Sequence, residues 1–154
     1  MFPEFGLTAI AHVIQLAVAP VFLLTGVGAL LSVLTSRLAR IIDRGRALEA
    51  LMAGAAEAKE RKAESEIEAE LVTLSRRARL INRAISLATI SALLVCAVIA
   101  ALFFGVFFSI DVSTLVGLVF IACMLTLMGG LLAFLREVHV AIRALRIGPP
   151  RKHF

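Results

Sequence analysis

The stretch His12-Val-Ile-Gln-Leu-Ala-Val-Ala-Pro-Val-Phe-Leu-Leu-Thr-Gly-Val-Gly-Ala-Leu-Leu31 decides what kind of fold this chain can have. It lies within a run, Phe5–Ser36, that contains no Asp, Glu, Lys or Arg. A helix needs roughly 20 apolar residues to cross a hydrocarbon core of about 30 Å, whereas a membrane strand needs only about 9–11. The run is too long for a strand, so it reads as a helix that crosses a membrane. Two further runs without those four residue types, Ala84–Ile110 and Val112–Leu135, read the same way. Together they explain a hydrophobic content of 60% and a mean hydropathy of +0.98, well above the roughly 45–50% apolar norm of soluble domains. A cleaved leader does not fit the first run. The residues before Ala17-Val18-Ala19 include Glu4 and no Lys or Arg, and apolar sequence continues to Leu34.

Charge placement orients the helices. All 16 Lys and Arg fall in segments 37–83 and 136–154, while Asp111 is the one charge between the second and third runs. Positive charge stays on the cytoplasmic side, so the N-terminus is expected outside and the C-terminus inside. The net charge of +5 then needs no nucleic acid, because anionic headgroups are the partners that juxtamembrane Lys and Arg meet.

The long charged segment has a helical plan. Apolar or small residues recur at Leu34, Leu38, Ile41, Gly45, Leu48 and Met52, and again at Ile67, Leu71, Leu74, Ala78, Ile81 and Ile85, alternating in steps of four and three. That is a heptad seam. The expected fold is all-α: transmembrane helices over about residues 9–35, 84–108 and 112–135, within a single domain. A coiled-coil-like cytoplasmic hairpin, 37–83, extends the first two helices and turns near Gly54-Ala55-Ala56. A basic C-terminal helix over 136–147 carries Arg136, His139, Arg143 and Arg146 on one face. Phe103, Phe104, Phe107 and Phe108 anchor the outer boundary in a chain that lacks Trp and Tyr.

Catalytic sets are missing from the sequence. There is no Gly-rich phosphate loop, no H-E-x-x-H, no C-x-x-C and no Ser–His–Asp spacing, so neither an enzyme nor a cofactor is expected. Cys96 and Cys123 are expected at one depth, where they could face each other. Two thiols undersupply a metal that wants four ligands, and both read as packing residues.

The first helix carries the more informative pattern. His12, Gln15, Ala19, Phe22, Gly26, Ala29 and Val33 share one stripe, joined by Thr25 and by the small residues Gly28 and Ser32. Small residues let helices approach closely in lipid, Pro20 removes a backbone hydrogen bond and bends the helix, and Thr25 can help satisfy the carbonyl so freed. The stripe is expected either to pack within the chain or to meet another copy, where it could line a pore. His12 and Gln15 mark a wetter outer end, with Asp111 capping the outer turn and within reach of His12. At the inner boundary Arg37, Arg40, Asp43, Arg79, Asn82, Arg83, Arg136 and Glu137 are expected at one level. They form either a ring of salt bridges in which Asp43 and Glu137 each hold an arginine, or a basic vestibule for anions.

Several of these blocks resemble a known family. Ile14-Gln-Leu-Ala-Val-Ala-Pro-Val-Phe-Leu-Leu-Thr-Gly-Val-Gly-Ala-Leu-Leu31, Leu34-Thr-Ser-Arg-Leu-Ala-Arg-Ile-Ile-Asp-Arg44, Arg76-Arg-Ala-Arg-Leu-Ile-Asn-Arg-Ala-Ile85 and Phe134-Leu-Arg-Glu-Val138 are similar to domain-of-unknown-function family 2721. The resemblance implies a multi-pass protein of a bacterial inner membrane and no catalytic assignment. Two functions are therefore expected to compete: a homo-oligomeric ion-conducting pore with the first helix at the interface or axis, and a non-conducting adaptor whose hairpin recruits a cytoplasmic protein.

Overall fold

A computed structural model describes the backbone of residues 5–54 and 61–145, and the side chains of 8–52 and 67–142. Three helices account for nearly all of it: α1 (Phe5–Gly54), α2 (Arg61–Phe108) and α3 (Ser113–Leu145). Each contains a segment long and apolar enough to cross a membrane. At about 1.5 Å per residue, the 50 residues of α1 rise about 75 Å, more than twice a hydrocarbon core. The expected hairpin turn at Ala55 and Ala56 lies outside the described residues, as do Arg146 and the side chain of Arg143.

Contacts divide the chain into two units, one of Met1–Ser32 and Ser86–Gly130, the other of Val33–Ile85 and Leu131–Phe154. In the first, α1 buries Val13, Ala17 and Val27, while α2 buries Ala88, Ser91, Val95 and Val98 at steps of three, four and three. Small residues on α2 let α3 approach. The Ser91 hydroxyl lies 3.2 Å from Cys123 Sγ and 3.3 Å from the Cys123 carbonyl, and the thiol reaches back to the Ser91 carbonyl at 3.4 Å. Cys123 is fully buried there. Cys96 is exposed, so the two cysteines do not face one another. The inward position at that level is Val95, and Cys96 is one residue further on, turned about 100° around the helix.

In the second unit the heptad seam is the core. Leu34, Ile41 and Leu48 of α1 and Leu74 and Ile81 of α2 are buried, and the intervening Leu38, Gly45, Met52, Ile67, Leu71, Ala78 and Ile85 are half-buried. Arg44 forms a two-pronged ion pair with Glu70 across it, at 2.9 and 3.3 Å, and Arg37 and Arg77 meet on Glu137 seven residues along each helix, so α1 and α2 run antiparallel in this unit.

Helix α2 ends in a tight motif. The Ile110 N–H donates to the Gly105 carbonyl at 3.0 Å and the Ser109 N–H to the Val106 carbonyl at 3.4 Å, with Ser109 left-handed at φ 55°. These are the paired 6→1 and 5→2 bonds of a Schellman end. Gly105 is required by the close approach of the chain after the turn. A Cβ there would meet Val112 Cγ2 at 2.5 Å and the Ile110 carbonyl oxygen at 3.2 Å. Gly105→Ala is therefore expected to destabilise the fold by about 1–2 kcal/mol despite its better helix propensity, read as a lower unfolding midpoint in detergent micelles.

Asp111 begins α3. Its Oδ1 accepts the Ser113 N–H at 3.0 Å and the Ser113 hydroxyl at 2.6 Å, and these bonds hold its carboxyl below the usual carboxylate range. A depressed pKa stabilises the fold fully above the unfolded value of 3.8 and loses that contribution as pH falls through the lower folded value. Asp111→Asn should thus narrow the drop in unfolding temperature between about pH 5 and pH 2. An unchanged slope would mean that the cap carries no linkage.

Candidate functional site

The charged side chains that the structure brings together surround Glu137. This residue is fully buried on α3, in a position that calls for compensation, because an isolated carboxylate is costly away from water. Arg77 of α2 supplies it, with Nε 3.1 Å and Nη2 3.0 Å from Oε1. Arg37 of α1 stands on the other side, its Nη2 2.8 Å from Oε2. That contact is an ion pair, and Oε2 accepts no hydrogen bond among the described residues. The Arg37 guanidinium also lies 5.4 Å from the centroid of the Phe134 ring, a cation–π distance.

The geometry follows from the seam. Arg37 and Arg44 each directly precede a seam residue of α1, Leu38 and Gly45. Glu70 and Arg77 directly precede Leu71 and Ala78 of α2. In an antiparallel pair such flanking positions meet, and the offset that joins Arg44 to Glu70 also joins Arg37 to Arg77, seven residues along each helix. The first meeting is attractive. The second sets two like charges against each other, and α3 resolves it by inserting Glu137 between them.

Of the expected inner ring, only Arg37 and Glu137 are joined. Asp43 is exposed and takes part in none of the ion pairs among the described residues, because it sits two residues beyond the seam position Ile41, on the outer side of α1. Arg79, Asn82, Arg83 and Arg136 are likewise exposed. Arg40 is exposed and its Nε donates along its own helix to the Ser36 carbonyl at 3.3 Å. Arg44, Glu70 and Arg77 were not in the expected ring, which was drawn by depth along the helices and not by position around them.

Beside Glu137, a cleft of about 360 Å³ is lined by Arg37, Arg40, Ile41, Arg44, Leu74 and Arg77. In the first unit, a cleft of about 610 Å³ bounded by Ile10, Val13 and the phenylalanines is apolar. The Phe104 and Phe108 rings stack there at 5.6 Å. Asp111 and His12 are both exposed, with the hydrogen-bonded carboxylate oxygen of Asp111 committed to Ser113.

The α1 stripe faces outward. His12, Gln15, Ala19, Phe22, Thr25, Gly26, Gly28, Ala29, Ser32 and Val33 are all exposed, while Pro20 is turned inward. A Cβ at Gly26 or Gly28 would meet nothing within 4 Å. Packing within the chain, one of the two expectations, is thus corrected: the inward face of α1 is the Val13, Ala17 and Val27 line. Thr25 donates to the Val21 carbonyl at 3.2 Å, not to the Leu16 carbonyl that Pro20 leaves without its usual N–H.

The described residues are almost wholly helical, and three helices long and apolar enough to cross a membrane make this a multi-pass membrane protein. Residues 17–147 match the family described as Protein of unknown function (DUF2721), and the chain belongs to it. No curated protein and no solved structure is significantly similar to it.

Proposed function

We propose that this chain is a homo-oligomeric protein of a bacterial inner membrane and that its α1 stripe forms the contact between copies, at or near the axis of an ion-conducting pore. Its N-terminus is outside, and the seam-paired arms and C-terminus are in the cytoplasm. One observation supports this above the others: the polar and small residues of α1 lie on a face that the chain's own α2 and α3 leave uncovered. Lipid is a poor neighbour for His12, Gln15 and Thr25, since polar side chains at membrane depth turn toward protein or water. Another copy of α1 satisfies them, and the glycines and alanines admit it closely. The arginines at the inner end form a basic vestibule that raises the local concentration of anions.

The test is the stoichiometry of the protein in nanodiscs together with single-channel recording across a planar bilayer. A ring that carries current supports the pore, and a monomer without current overturns it. A stable ring without current favours the second reading, a non-conducting adaptor. That reading rests on Leu51 and Val72, large apolar side chains of the arms that are 60% and 67% exposed beyond the apolar runs, where a cytoplasmic protein would cover them.

A further inference from the structure

We infer that the cleft between the α1 and α2 arms is a binding site for a phosphate group. Four arginines line it, Arg37, Arg40, Arg44 and Arg77, above the apolar side chains of Ile41 and Leu74. Two carboxylates are in contact with them: Glu137 holds Arg37 and Arg77, and Glu70 holds Arg44. Four cations against two anions leave a surplus of two positive charges, enough to balance a phosphate monoester dianion and more than enough to hold the single charge of a lipid phosphodiester.

Three features distinguish this cleft from a solvated basic surface. Each guanidinium is held on one side, Arg40 by the Ser36 carbonyl and the other three by carboxylates. A guanidinium has five N–H donors in a fixed fork, so most donors remain for a ligand and their orientation is set in advance. The Ile41 and Leu74 floor lowers the local polarisability and strengthens charge–charge attraction above it. The volume of about 360 Å³ lies within the roughly 300–1,000 Å³ of small-molecule sites. Several arginine forks converging on one space recognise phosphate oxygens better than a lone lysine would.

The position of the cleft adds a further constraint. Arg37 is the first charge after the uncharged run that ends at Ser36, the level at which lipid phosphates meet the protein. The shared chemistry is a phosphate oxyanion, carried either by an anionic phospholipid headgroup or by a soluble phosphate. The cleft is complete within one chain and requires neither an oligomer nor a pore. Binding therefore tests it, whereas stoichiometry and current test the function proposed above.

The experiment has two arms on the full chain in neutral detergent. In one, inorganic phosphate is titrated at constant ionic strength and the unfolding temperature is followed. In the other, retention of phosphatidylglycerol against phosphatidylcholine of the same acyl chains is measured by native mass spectrometry. Arg40→Gln is the diagnostic variant, because Arg40 is exposed and supports only a bond within its own helix turn, so folding does not depend on it. Arg76→Gln, exposed on α2 outside the cleft, is the control. Binding in at least one arm is expected, reduced about tenfold (the effect of losing about 1.4 kcal/mol) by Arg40→Gln and unchanged by Arg76→Gln. Phosphatidylglycerol retention without a response to free phosphate assigns the site to a lipid headgroup; the reverse assigns it to a soluble phosphate. No binding in either arm, or equal losses in the two variants, overturns the site.

Discussion

Replacing Glu137 with alanine is expected to cost about 3–5 kcal/mol of stability, the range found when one member of a buried ion pair is removed. Three effects add. The carboxylate that both arginines contact disappears. A cavity is left where a fully buried side chain stood. The Arg37 and Arg77 guanidiniums, which share one carboxylate, then repel each other. Two like charges roughly 6 Å apart in an effective dielectric of about 20 interact by about 3 kcal/mol. Solvent lowers that figure, because the two arginine side chains are 29% and 22% exposed. Glu137→Gln keeps the volume and one acceptor, and is expected to lose about half as much.

The relation among the three residues is tested by combining substitutions. With Glu137→Leu, Arg37→Met and Arg77→Met together, an apolar cluster replaces the charges, and buried charge clusters so replaced are often neutral or more stable. The triple variant should therefore recover most of the stability that Glu137→Ala loses, as read by denaturant titration in micelles. If Glu137→Ala costs less than about 1 kcal/mol, the carboxylate is not offsetting the repulsion between the arginines. If the triple variant is as unstable as the single one, the loss comes from packing and not from charge.

The same cluster shows what the sequence can and cannot disclose. The seam residues were legible because burial repeats with the helical period, and Leu34, Ile41, Leu48, Leu74 and Ile81 are buried as that period requires. Glu137 was legible as an acid among arginines. Arg77, Arg44 and Glu70 were missed, although each directly precedes a seam residue and so carries a signal. Grouping charges by depth gave weight to Arg79 and Arg83, which lie on the outer side of α2. Grouping them by position around the helix would have found the pairs, provided that the antiparallel offset was known. That offset depends on packing across the whole seam, and the sequence alone leaves several offsets one heptad apart. The inward position of Ser91 beside Cys123 was hidden for a different reason: a continuous apolar run has little contrast between its faces.

Gly26→Leu is expected to weaken association between copies by roughly 10- to 100-fold while leaving the protomer folded. The protomer tolerates it because a Cβ at this position meets nothing within 4 Å and because leucine is the better helix former. A second α1 would not tolerate it. Small residues set the distance at which helix backbones meet in lipid, and forcing added methylenes into a close contact costs about 1–3 kcal/mol, which is the stated loss at 1.4 kcal/mol per tenfold. Gly117→Leu is the matched control: Gly117 is exposed on α3, and a Cβ there also meets nothing within 4 Å. Subunit dissociation is measured by single-molecule photobleaching over a range of protein-to-lipid ratios, with the unfolding midpoint recorded in parallel. Dissociation in Gly26→Leu alone, at an unchanged midpoint, places the α1 stripe between copies. Intact oligomers in Gly26→Leu, or equal dissociation in the two variants, would return the stripe to the lipid and remove the structural basis for a pore built on α1.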